Sequence, residues 1–463
     1  MTRTVLKFGG TSVASPTALD SVARIVAGLA GDRIVVVSAT AGTTDALHMA
    51  AREAEEGRAA SAEQVLQDVA KAHANIVADL LGVAGAETLR EITDLTERTT
   101  ALLRSVAMLR ECTARTLDAI VAYGEHVSAP IVAALLRSRG VNAEALSAEG
   151  LVITDDAFGH ARPLADETRA RAQKELVPRI KAGIVPVVTG YVASTADGVT
   201  TTLGRGGSDY SAAVLAAAVN ADELRIYTDV SGVMSADPRI VSDAKPLAKI
   251  SYAEAAELAY FGAKVIHPRT VLPAIEAHIP VRILNTFAPD DPGTTITADP
   301  VFDGSVVKAT TSLGDLGLIT VQGAGMSGVP GFAARVFDTT AAEKVSVLMI
   351  SQSSSENSIC LVVPADATPR LRTGLERMFS VELRRHDVEH VAVDAPVAIV
   401  AAVGEGMRGT PGVAARVFGA LGRAKVNVMA IAQGSSELNI SLVVSEADRE
   451  KAVRAIHQEF HAS

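Results

Sequence analysis

Short runs of β-branched and other apolar residues alternate with longer, Ala-rich segments over the first 300 residues. The runs lack strict in–out alternation, which is typical of strands buried on both faces of a parallel sheet. This alternation of strand and helix patterns predicts an α/β fold, with a mainly parallel sheet between helices. The predicted strands are Thr4–Phe8, Ile34–Ser38, Val185–Thr189, Glu223–Thr228 and Val281–Leu284, and the predicted helices are Ser15–Ala30, Ser61–Leu81, Ala101–Tyr123, Tyr210–Val219 and Tyr252–Tyr260.

Residues 62–123 carry a helical pattern rich in Leu and Ala, without any strand pattern, and the pattern is interrupted near Gly82 and Gly85. The simplest interpretation is a pair of antiparallel helices at one edge of the sheet. A loop rich in Pro and Asp, Ala288–Gly293, marks the end of this first region.

The remaining sequence contains a duplication. Residues 323–363 align without a gap to residues 404–444, at an offset of 81, and 23 of the 41 positions are identical. A solenoid needs three or more copies, so a single duplication predicts a pair of small α+β domains. Each copy has the predicted order strand, Gly-rich turn, helix, strand, turn, strand, helix and strand. The two copies can pair their sheets around a pseudo-twofold axis.

Composition limits the classes of function. The 463 residues are 48% hydrophobic and 21% charged, which is typical of a globular protein of two or three domains. The net charge of −10 argues against a nucleic-acid-binding protein, and two cysteines cannot build a disulfide framework. No apolar run approaches the ~18 residues that span a bilayer, and Met1 leads almost directly into a predicted strand. We therefore expect a cytoplasmic protein without a nucleic-acid or membrane partner.

The segment Lys7-Phe-Gly-Gly-Thr-Ser12 follows the first predicted strand and precedes a predicted helix. Glycines at such a turn expose backbone N–H groups, and a Lys beside them adds a positive charge that can bind a phosphate. The order of Lys and glycines is not that of a P-loop. Phosphate binding and an ordinary tight turn are therefore equal alternatives at this point.

The segment Thr201–Asp209 places three glycines around Arg205, again directly before a predicted helix. Ser208 and Asp209 stand where helix N-caps are found, and capping, worth about 1 kcal/mol, is the structural alternative for both. Capping does not explain Arg205, whose planar guanidinium suits a carboxylate or a phosphate. We favour a role for Arg205 in substrate recognition.

Polar residues also lie at and beyond the carboxyl end of the strand predicted at 223–228, at Thr228, Asp229, Asp237 and Arg239. Ligands of open α/β sheets collect outside the carboxyl ends of strands, so these residues are candidates for a binding site. The alternative is turn chemistry, which accounts well for Asp237 before its proline.

Three further features have plain structural interpretations. Lys264 follows a glycine at a predicted helix end, where a cation favours the helix dipole. The polar segment Thr40–Asp45 is typical of a turn, and Glu125 is typical of a solvated helix end. No motif such as His-Glu-x-x-His predicts a protein-bound metal.

In this order, the motifs resemble those of the aspartate kinases in the amino-acid kinase superfamily. The matching stretches are Lys7–Val13, Leu203–Tyr210, Tyr227–Asp229, Asp237–Arg239 and Tyr260–Pro268. The duplicated tail resembles the paired regulatory ACT domains of these enzymes, which have a ferredoxin-like α+β fold. The resemblance implies an amino-acid kinase domain at 1–298, a first ACT domain at 299–396 and a second at 397–463.

The resemblance implies ATP-dependent phosphorylation of the β-carboxylate of L-aspartate to 4-phospho-L-aspartate, the first step of the pathway to lysine, threonine and methionine. Phosphoryl transfer depends mainly on positioning and charge neutralisation, and a carboxylate nucleophile needs no general base. Mg²⁺ is expected with ATP, held largely by phosphates and water.

The resemblance also implies roles for individual residues. Lys7 neutralises the transferring phosphoryl group, and Asp209 orients Lys7. The implied nucleotide-binding set is Lys7, Gly9, Gly10, Ser12, Thr228, Asp229, Asp237, Arg239 and Lys264. The implied aspartate-binding set is Thr44, Glu125, Arg205 and Ser208, with Arg205 on a carboxylate and Glu125 on the α-ammonium. Met234 stands where family members often carry Tyr, which leaves the packing around the nucleotide open.

The tail is similar to that of threonine-sensitive aspartate kinases fused to homoserine dehydrogenase, through Ile350–Glu356 and Ile431–Glu437. In that group the equivalents of Gln352 and Gln433 contact the effector, which implies feedback by threonine, lysine or both. A desensitised enzyme of a specialised pathway, such as ectoine synthesis, is the competing hypothesis. We expect no dehydrogenase after the second copy, and a homodimer or larger homo-oligomer.

Two other functions fit parts of the sequence. A kinase of the same superfamily that acts on glutamate derivatives, carbamate or a nucleotide would share the motifs, although such kinases usually lack the tail. A non-catalytic amino-acid sensor would explain the tail, but it has no use for Lys7, Arg205 and Asp209.

Overall fold

The computed structural model describes residues 2–262, 268–300, 302 and 304–461. Its strands are β1 (Arg3–Phe8), β2 (Asp32–Val37), β3 (Ala143–Leu146), β4 (Ile153–Thr154), β5 (Val185–Thr189), β6 (Val192–Thr195), β7 (Thr200–Thr202), β8 (Glu223–Thr228), β9 (Lys249–Ser251), β10 (Val281–Asn285), β11 (Thr294–Thr297), β12 (Ala309–Gln322), β13 (Met349–Gln352), β14 (Ser358–Pro364), β15 (His390–Val403), β16 (Ala430–Ala432) and β17 (Asn439–Ser445). Its helices are α1 (Pro16–Gly28), α2 (Thr43–Glu55), α3 (Ala59–Leu81), α4 (Ala86–Leu109), α5 (Ala114–Val121), α6 (Tyr123–Ser138), α7 (Ala165–Lys181), α8 (Gly207–Ala218), α9 (Tyr252–Tyr260), α10 (Leu272–Glu276), α11 (Phe332–Ala342), α12 (Thr368–Met378), α13 (Ser380–Arg385), α14 (Val413–Arg423) and α15 (Arg449–His461).

An eight-stranded sheet forms the centre of the first of two compact units, which comprises residues 1–233, 248–252 and 265–299. Its strand order is β3-β5-β2-β1-β8-β10-β11-β9. The strands from β3 to β10 are parallel, and β11 runs antiparallel to β10. All five predicted strands belong to this parallel set, so the α/β prediction is confirmed.

The first turn of the chain shows how the local sequence produces these elements. The apolar residues of β1 are buried between β2 and β8, and the chain then turns at Gly9. Ser15 caps α1, because its Oγ accepts a hydrogen bond from the N–H of Ala18 at 3.3 Å. Pro16 follows at the first helical position, where the missing N–H costs nothing.

The helical pair predicted within 62–123 is present, with different boundaries. Helices α3 and α4 run antiparallel, which is shown by the ion pair at 2.7 Å between Glu63, near the start of α3, and Arg104, near the end of α4. The helix predicted at Ala101–Tyr123 instead comprises the end of α4, all of α5 and the first residue of α6. The break occurs because Arg110 adopts a left-handed conformation and Thr113 caps α5 with its side chain.

The nearly continuous helical stretch Ala114–Ser138 is the one candidate for a membrane span among the described residues. Its most apolar window is 83% buried inside the protein, so it is a core helix. This stretch is not an uninterrupted apolar run in the sequence, because polar residues such as Glu125 and His126 lie within it.

The second unit comprises residues 234–247, 253–264 and 300–463, and contains a six-stranded sheet in the order β13-β14-β12-β15-β17-β16. Its two central strands are each 14 residues long and serve both copies of the duplication. Leu316–Gln322 of β12 pairs with β14 in the first copy, whereas Ala309–Leu313 pairs with the end of β15 in the second copy. The ladder is irregular between these halves, where Asp315 has a φ of 61°.

The predicted order of elements is confirmed for the first copy and wrong in one respect for the second. No strand follows α15 in the part of the chain that is described, and Ala309–Leu313 occupies that place in the sheet. This exchange of a strand segment between the copies is possible because β12 is long enough to pair within both of them. The domain borders at 298/299 and 396/397 remain predictions.

Candidate active site

Lys7 lies at the carboxyl end of β1 and is almost buried, with 8% of its surface exposed. Its Nζ forms an ion pair with Oδ1 of Asp209 at 2.7 Å. Removing a charge from water is unfavourable unless an opposite charge compensates it. Asp209 therefore holds the ammonium group of Lys7 at the end of the strand.

Asp209 is available for this contact because it does not cap its helix. Helix α8 begins at Gly207, and its N-cap is Gly206, a left-handed residue, without a capping hydrogen bond from any side chain. The capping interpretation of Ser208 and Asp209 is therefore wrong. Both side chains lie in the first turn of α8, where a carboxylate also interacts favourably with the helix dipole.

A cavity of about 640 Å³ opens beside the ion pair, within the first unit. Seven of the predicted site residues line it, although they come from four different parts of the sequence. These residues are Lys7, Gly10, Thr44, Glu125, Arg205, Ser208 and Asp209. The structure thus brings the complete predicted aspartate-binding set together with the predicted catalytic pair.

Gly10 lies close to the loop that follows β2. A Cβ atom on Gly10 would lie 3.0 Å from the carbonyl oxygen of Ala39, which is closer than such contacts normally are. The Ala41 N–H also donates to the carbonyl of Gly10 at 3.2 Å. The loop after β2 is therefore held directly against the turn that follows Lys7.

Arg205 is exposed, and it has no hydrogen-bond or ion-pair partner within the described part of the chain. It stands between Gly204 and Gly206, which both have a φ of 73°, a region that favours glycine. The guanidinium therefore has all its donors available for an anionic ligand in the cavity.

Glu125 lies in the first turn of α6 and is 2% exposed, so its interpretation as a solvated helix end is wrong. Its Oε1 accepts a hydrogen bond from the N–H of Ala39 at 3.0 Å, and its Oε2 has no partner in the described structure. Burial raises the pKa of Glu125 to about 8, although the Ala39 N–H and the charge of Lys7 oppose the shift. An unpaired, buried carboxyl oxygen in a cavity suits a cationic ligand.

Sequence reasoning missed Asp118, which also lines the cavity. It accepts hydrogen bonds from the N–H of Gly159 at 2.9 Å and from the N–H and Oγ1 of Thr202 at 3.0 and 2.8 Å. Burial raises the pKa of Asp118, and these hydrogen bonds oppose the shift. A lone acid among the apolar residues of α5 was the available indication.

Tyr191 is a second residue that the sequence did not indicate, and it lines the same cavity. It has a φ of 61°, an unfavourable conformation for a residue with a side chain. A Cβ atom on Gly207 would lie 2.6 Å from its ring, so the glycine provides the space for that ring.

Part of the predicted nucleotide-binding set lies outside the cavity. The N–H of Gly9 donates to the carbonyl of Tyr227 at 3.1 Å, and the hydroxyl of Ser12 lies 2.6 Å from that of Thr286. These two groups are engaged within the protein, whereas Lys7 and Gly10 face the cavity. Thr228 ends β8 and Asp229 follows it, at the same carboxyl edge of the sheet, and the Thr228 hydroxyl donates to Asp229 at 3.1 Å.

The other predicted site residues belong to the second unit or are not described. Asp237 and Arg239 form an ion pair with each other at 2.6 Å, and this guanidinium lowers the pKa of Asp237. Lys264 lies outside the described residues. Gln352 ends β13 and Gln433 follows β16, and both are exposed.

Known protein families match both parts of the chain. Residues 2–285 match the amino acid kinase family. The chain belongs to this family. Residues 319–372 and 400–460 of this amino acid kinase match the ACT domain. The predicted fold, a kinase domain followed by ACT domains, is confirmed.

This amino acid kinase is similar to aspartokinases over nearly its whole length. It is 38% identical to bifunctional aspartokinase/homoserine dehydrogenase 2, chloroplastic, of Zea mays, over 99% of this chain and 50% of that protein. It is 35% identical to lysine-sensitive aspartokinase 3 of Escherichia coli (strain K12), over 98% of each chain. The crystal structure of E. coli aspartokinase III in complex with aspartate and ADP matches with a TM-score of 0.81 and 33% identity, over 99% of each chain. The chain spans about half the length of its bifunctional relatives.

Proposed function

We propose that this member of the amino acid kinase family is an aspartate kinase, which transfers the γ-phosphoryl group of ATP to the β-carboxylate of L-aspartate. One observation carries the proposal: Lys7, Arg205 and Glu125 line a single cavity. Together they offer a cation for the phosphoryl group, a cation for a substrate carboxylate and a carboxyl group for an α-ammonium. Similarity to a protein crystallised with aspartate and ADP supports the same assignment.

In the proposed reaction, an oxygen of the β-carboxylate attacks the γ-phosphorus, and the bond from that phosphorus to the β–γ bridging oxygen breaks. ADP leaves, and 4-phospho-L-aspartate is formed. No proton has to be removed, because the nucleophile is already an anion. Lys7 neutralises charge on the phosphoryl oxygens, and Asp209 keeps the ammonium of Lys7 in place.

The nucleotide is proposed to bind at the carboxyl edge of β1 and β8, beside Gly9, Gly10, Ser12, Thr228 and Asp229. The assignments of Asp237, Arg239 and Lys264 to the nucleotide rest on the resemblance alone. The described residues contain no cluster of three or more His, Cys, Asp or Glu side chains that could hold a metal ion. Mg²⁺ is proposed to arrive with ATP and to be held mainly by phosphate oxygens and water.

The decisive experiment measures ADP release from MgATP with L-aspartate, L-glutamate, N-acetyl-L-glutamate and carbamate as acceptors, with hydroxylamine to trap any acyl phosphate. We expect ADP and an equal amount of aspartyl hydroxamate with L-aspartate alone. ADP release with a different acid would identify another kinase of the family. Absence of ADP release with every acceptor would favour the non-catalytic sensor.

The buried carboxyl of Glu125 predicts a pH dependence of aspartate binding. Below its pKa of about 8 the free enzyme holds Glu125 neutral, and only the carboxylate pairs with the α-ammonium. The KM for aspartate should therefore fall as pH rises from 6 to 8, by up to about tenfold per pH unit well below the pKa. A KM that is constant over this range would contradict the assignment.

The control for this experiment is Glu125→Gln, which keeps the shape of the side chain but cannot ionise. It should show a high KM for aspartate that no longer changes with pH. If the slope persists in Glu125→Gln, another group is responsible for it.

We further propose that threonine or lysine regulates the enzyme through Gln352 and Gln433. Ser351 Oγ donates to the carbonyl of Ile431 at 3.0 Å, so the equivalent strands β13 and β16 meet beside both glutamines. Threonine at a saturating concentration on the order of 10 mM should inhibit the kinase, and Gln352→Ala or Gln433→Ala should weaken inhibition without changing kcat. Inhibition by lysine alone would identify lysine as the effector. Absence of inhibition by either amino acid would support a desensitised enzyme. A homo-oligomeric state, which rests on the resemblance, and a cytoplasmic location, which rests on composition, are part of the same proposal.

A further inference from the structure

The loop between β2 and α2, residues 38–42, forms one wall of the cavity and leads directly into Thr44, the residue in the first turn of α2 that is proposed to contact aspartate. Two of its attachments come from the site itself, since Glu125 accepts the N–H of Ala39 and Gly10 accepts the N–H of Ala41. A third attachment comes from His73, which lies on α3 and does not line the cavity.

His73 is 2% exposed, and both of its ring nitrogens have partners. Nδ1 lies 2.8 Å from the carbonyl oxygen of Val69, and Nε2 lies 3.0 Å from Oγ1 of Thr40. A carbonyl oxygen only accepts hydrogen bonds, so Nδ1 carries a proton. Burial lowers the pKa of His73 and favours the neutral ring, so Nε2 is an acceptor.

This tautomer fixes the direction of the neighbouring hydrogen bonds. Thr40 must donate its hydroxyl proton to Nε2 of His73. The Thr43 hydroxyl, 2.6 Å from Oγ1 of Thr40, must then donate to Thr40. The N–H of Thr43 also donates to the carbonyl of Thr40 at 3.0 Å. Because Thr43 is the first residue of α2, these hydrogen bonds connect His73 through Thr40 to the start of that helix.

We propose that His73 is a positioning residue for the amino-acid substrate: it holds Thr40, and through it Thr44 at the start of α2, in the geometry that binds aspartate. This inference rests on the proposed aspartate kinase activity. His73 acts on one wall of the cavity only. It contacts neither Lys7 nor the edge of the sheet where the nucleotide is proposed to bind.

The test compares four variants by steady-state kinetics and thermal unfolding. His73→Leu removes the acceptor, and Thr40→Val removes the donor. His73→Gln keeps an acceptor oxygen at about the reach of Nε2 and is the conservative control. The double variant His73→Leu/Thr40→Val removes both partners of the hydrogen bond, so it should be more stable than Thr40→Val, which leaves both Nε2 of His73 and the hydroxyl of Thr43 unpaired.

We expect His73→Leu and Thr40→Val each to raise the KM for aspartate about tenfold, with kcat and the KM for ATP changed less than about twofold. The double variant should show the same KM as either single variant, because both substitutions break one interaction. His73→Gln should restore the KM to within about threefold of wild type.

Three results would overturn the proposal. A wild-type KM for aspartate in His73→Leu would show that the loop does not need this hydrogen bond. A restored KM in the double variant together with restored stability would show a purely structural role. Additive effects on the KM in the double variant would show that His73 and Thr40 act separately.

If His73→Leu does not fold, Thr40→Val and His73→Gln still test the same hydrogen bond. Failure of the proposed function is distinguishable, because the wild-type enzyme itself would then not phosphorylate aspartate.

Discussion

Replacing Lys7 by alanine is expected to lower kcat at least ~100-fold, which is the scale seen when one preorganised electrostatic stabiliser is removed from an active site. Lys7 is the cation that the proposal places on the phosphoryl group, and Asp209 holds it in the cavity through an ion pair of 2.7 Å. The KM values for ATP and aspartate should change much less, because the charge on the phosphoryl group develops in the transition state. Single-turnover measurements of ADP formation would isolate this chemical step.

Two further variants separate catalysis from folding. Lys7→Ala leaves the largely buried carboxylate of Asp209 unpaired, and we expect a lower melting temperature as a result. Lys7→Ala/Asp209→Asn removes that charge, and it should recover stability without recovering kcat. Lys174→Ala, which changes an exposed lysine of α7, should behave as wild type. A folded Lys7→Ala enzyme with near-normal turnover would refute the role assigned to Lys7.

Replacing Arg205 by alanine is expected to raise the KM for aspartate by about 30-fold or more, because hydrogen bonds to charged groups contribute about 1.5–3 kcal/mol. Since Arg205 has no partner elsewhere in the described part of the protein, the substitution should leave the melting temperature within about 1 °C of wild type. Binding of aspartate, measured by calorimetry, should weaken in parallel with the KM.

Arg205→Lys is the matched variant for this prediction. It keeps the positive charge but loses the planar pair of donors, so its KM should lie between those of Arg205→Ala and the wild type. If Arg205→Lys is indistinguishable from wild type, charge alone suffices and the carboxylate is not bound by a paired interaction. A loss of kcat without a change in KM would move Arg205 from substrate binding to the phosphoryl group.

Local sequence was sufficient for the class of fold, for physical reasons that particular elements illustrate. Strands such as Val185–Thr189 are apolar on both faces, and only a sheet with two covered faces accommodates them. The turn after Lys7 was predictable because its glycines are adjacent in sequence and meet a helix start. The duplication was visible because both copies retain the same turn, helix and strand residues.

Short-range sequence patterns did not predict the elements that are very short or the strand segment that pairs with a distant part of the chain. The three-residue strands β7 and β9 are too short to show a periodicity. The exchange of Ala309–Leu313 into the second ACT copy involves a pairing far along the chain with β15. Such long-range pairings depend on which edges the folded sheet leaves available.

The sequence by itself determined that this protein has a parallel α/β kinase domain and a duplicated α+β tail, and it supplied Lys7 and Arg205 as the candidates for binding two anions. Only the tertiary structure decided that Glu125 is buried rather than solvated and that Asp209 faces Lys7 rather than capping its own helix. Composition and periodicity report what each segment prefers over a few residues. The environment of a charge depends instead on which distant segments pack around it, because desolvation and ion pairing act through space and not along the chain.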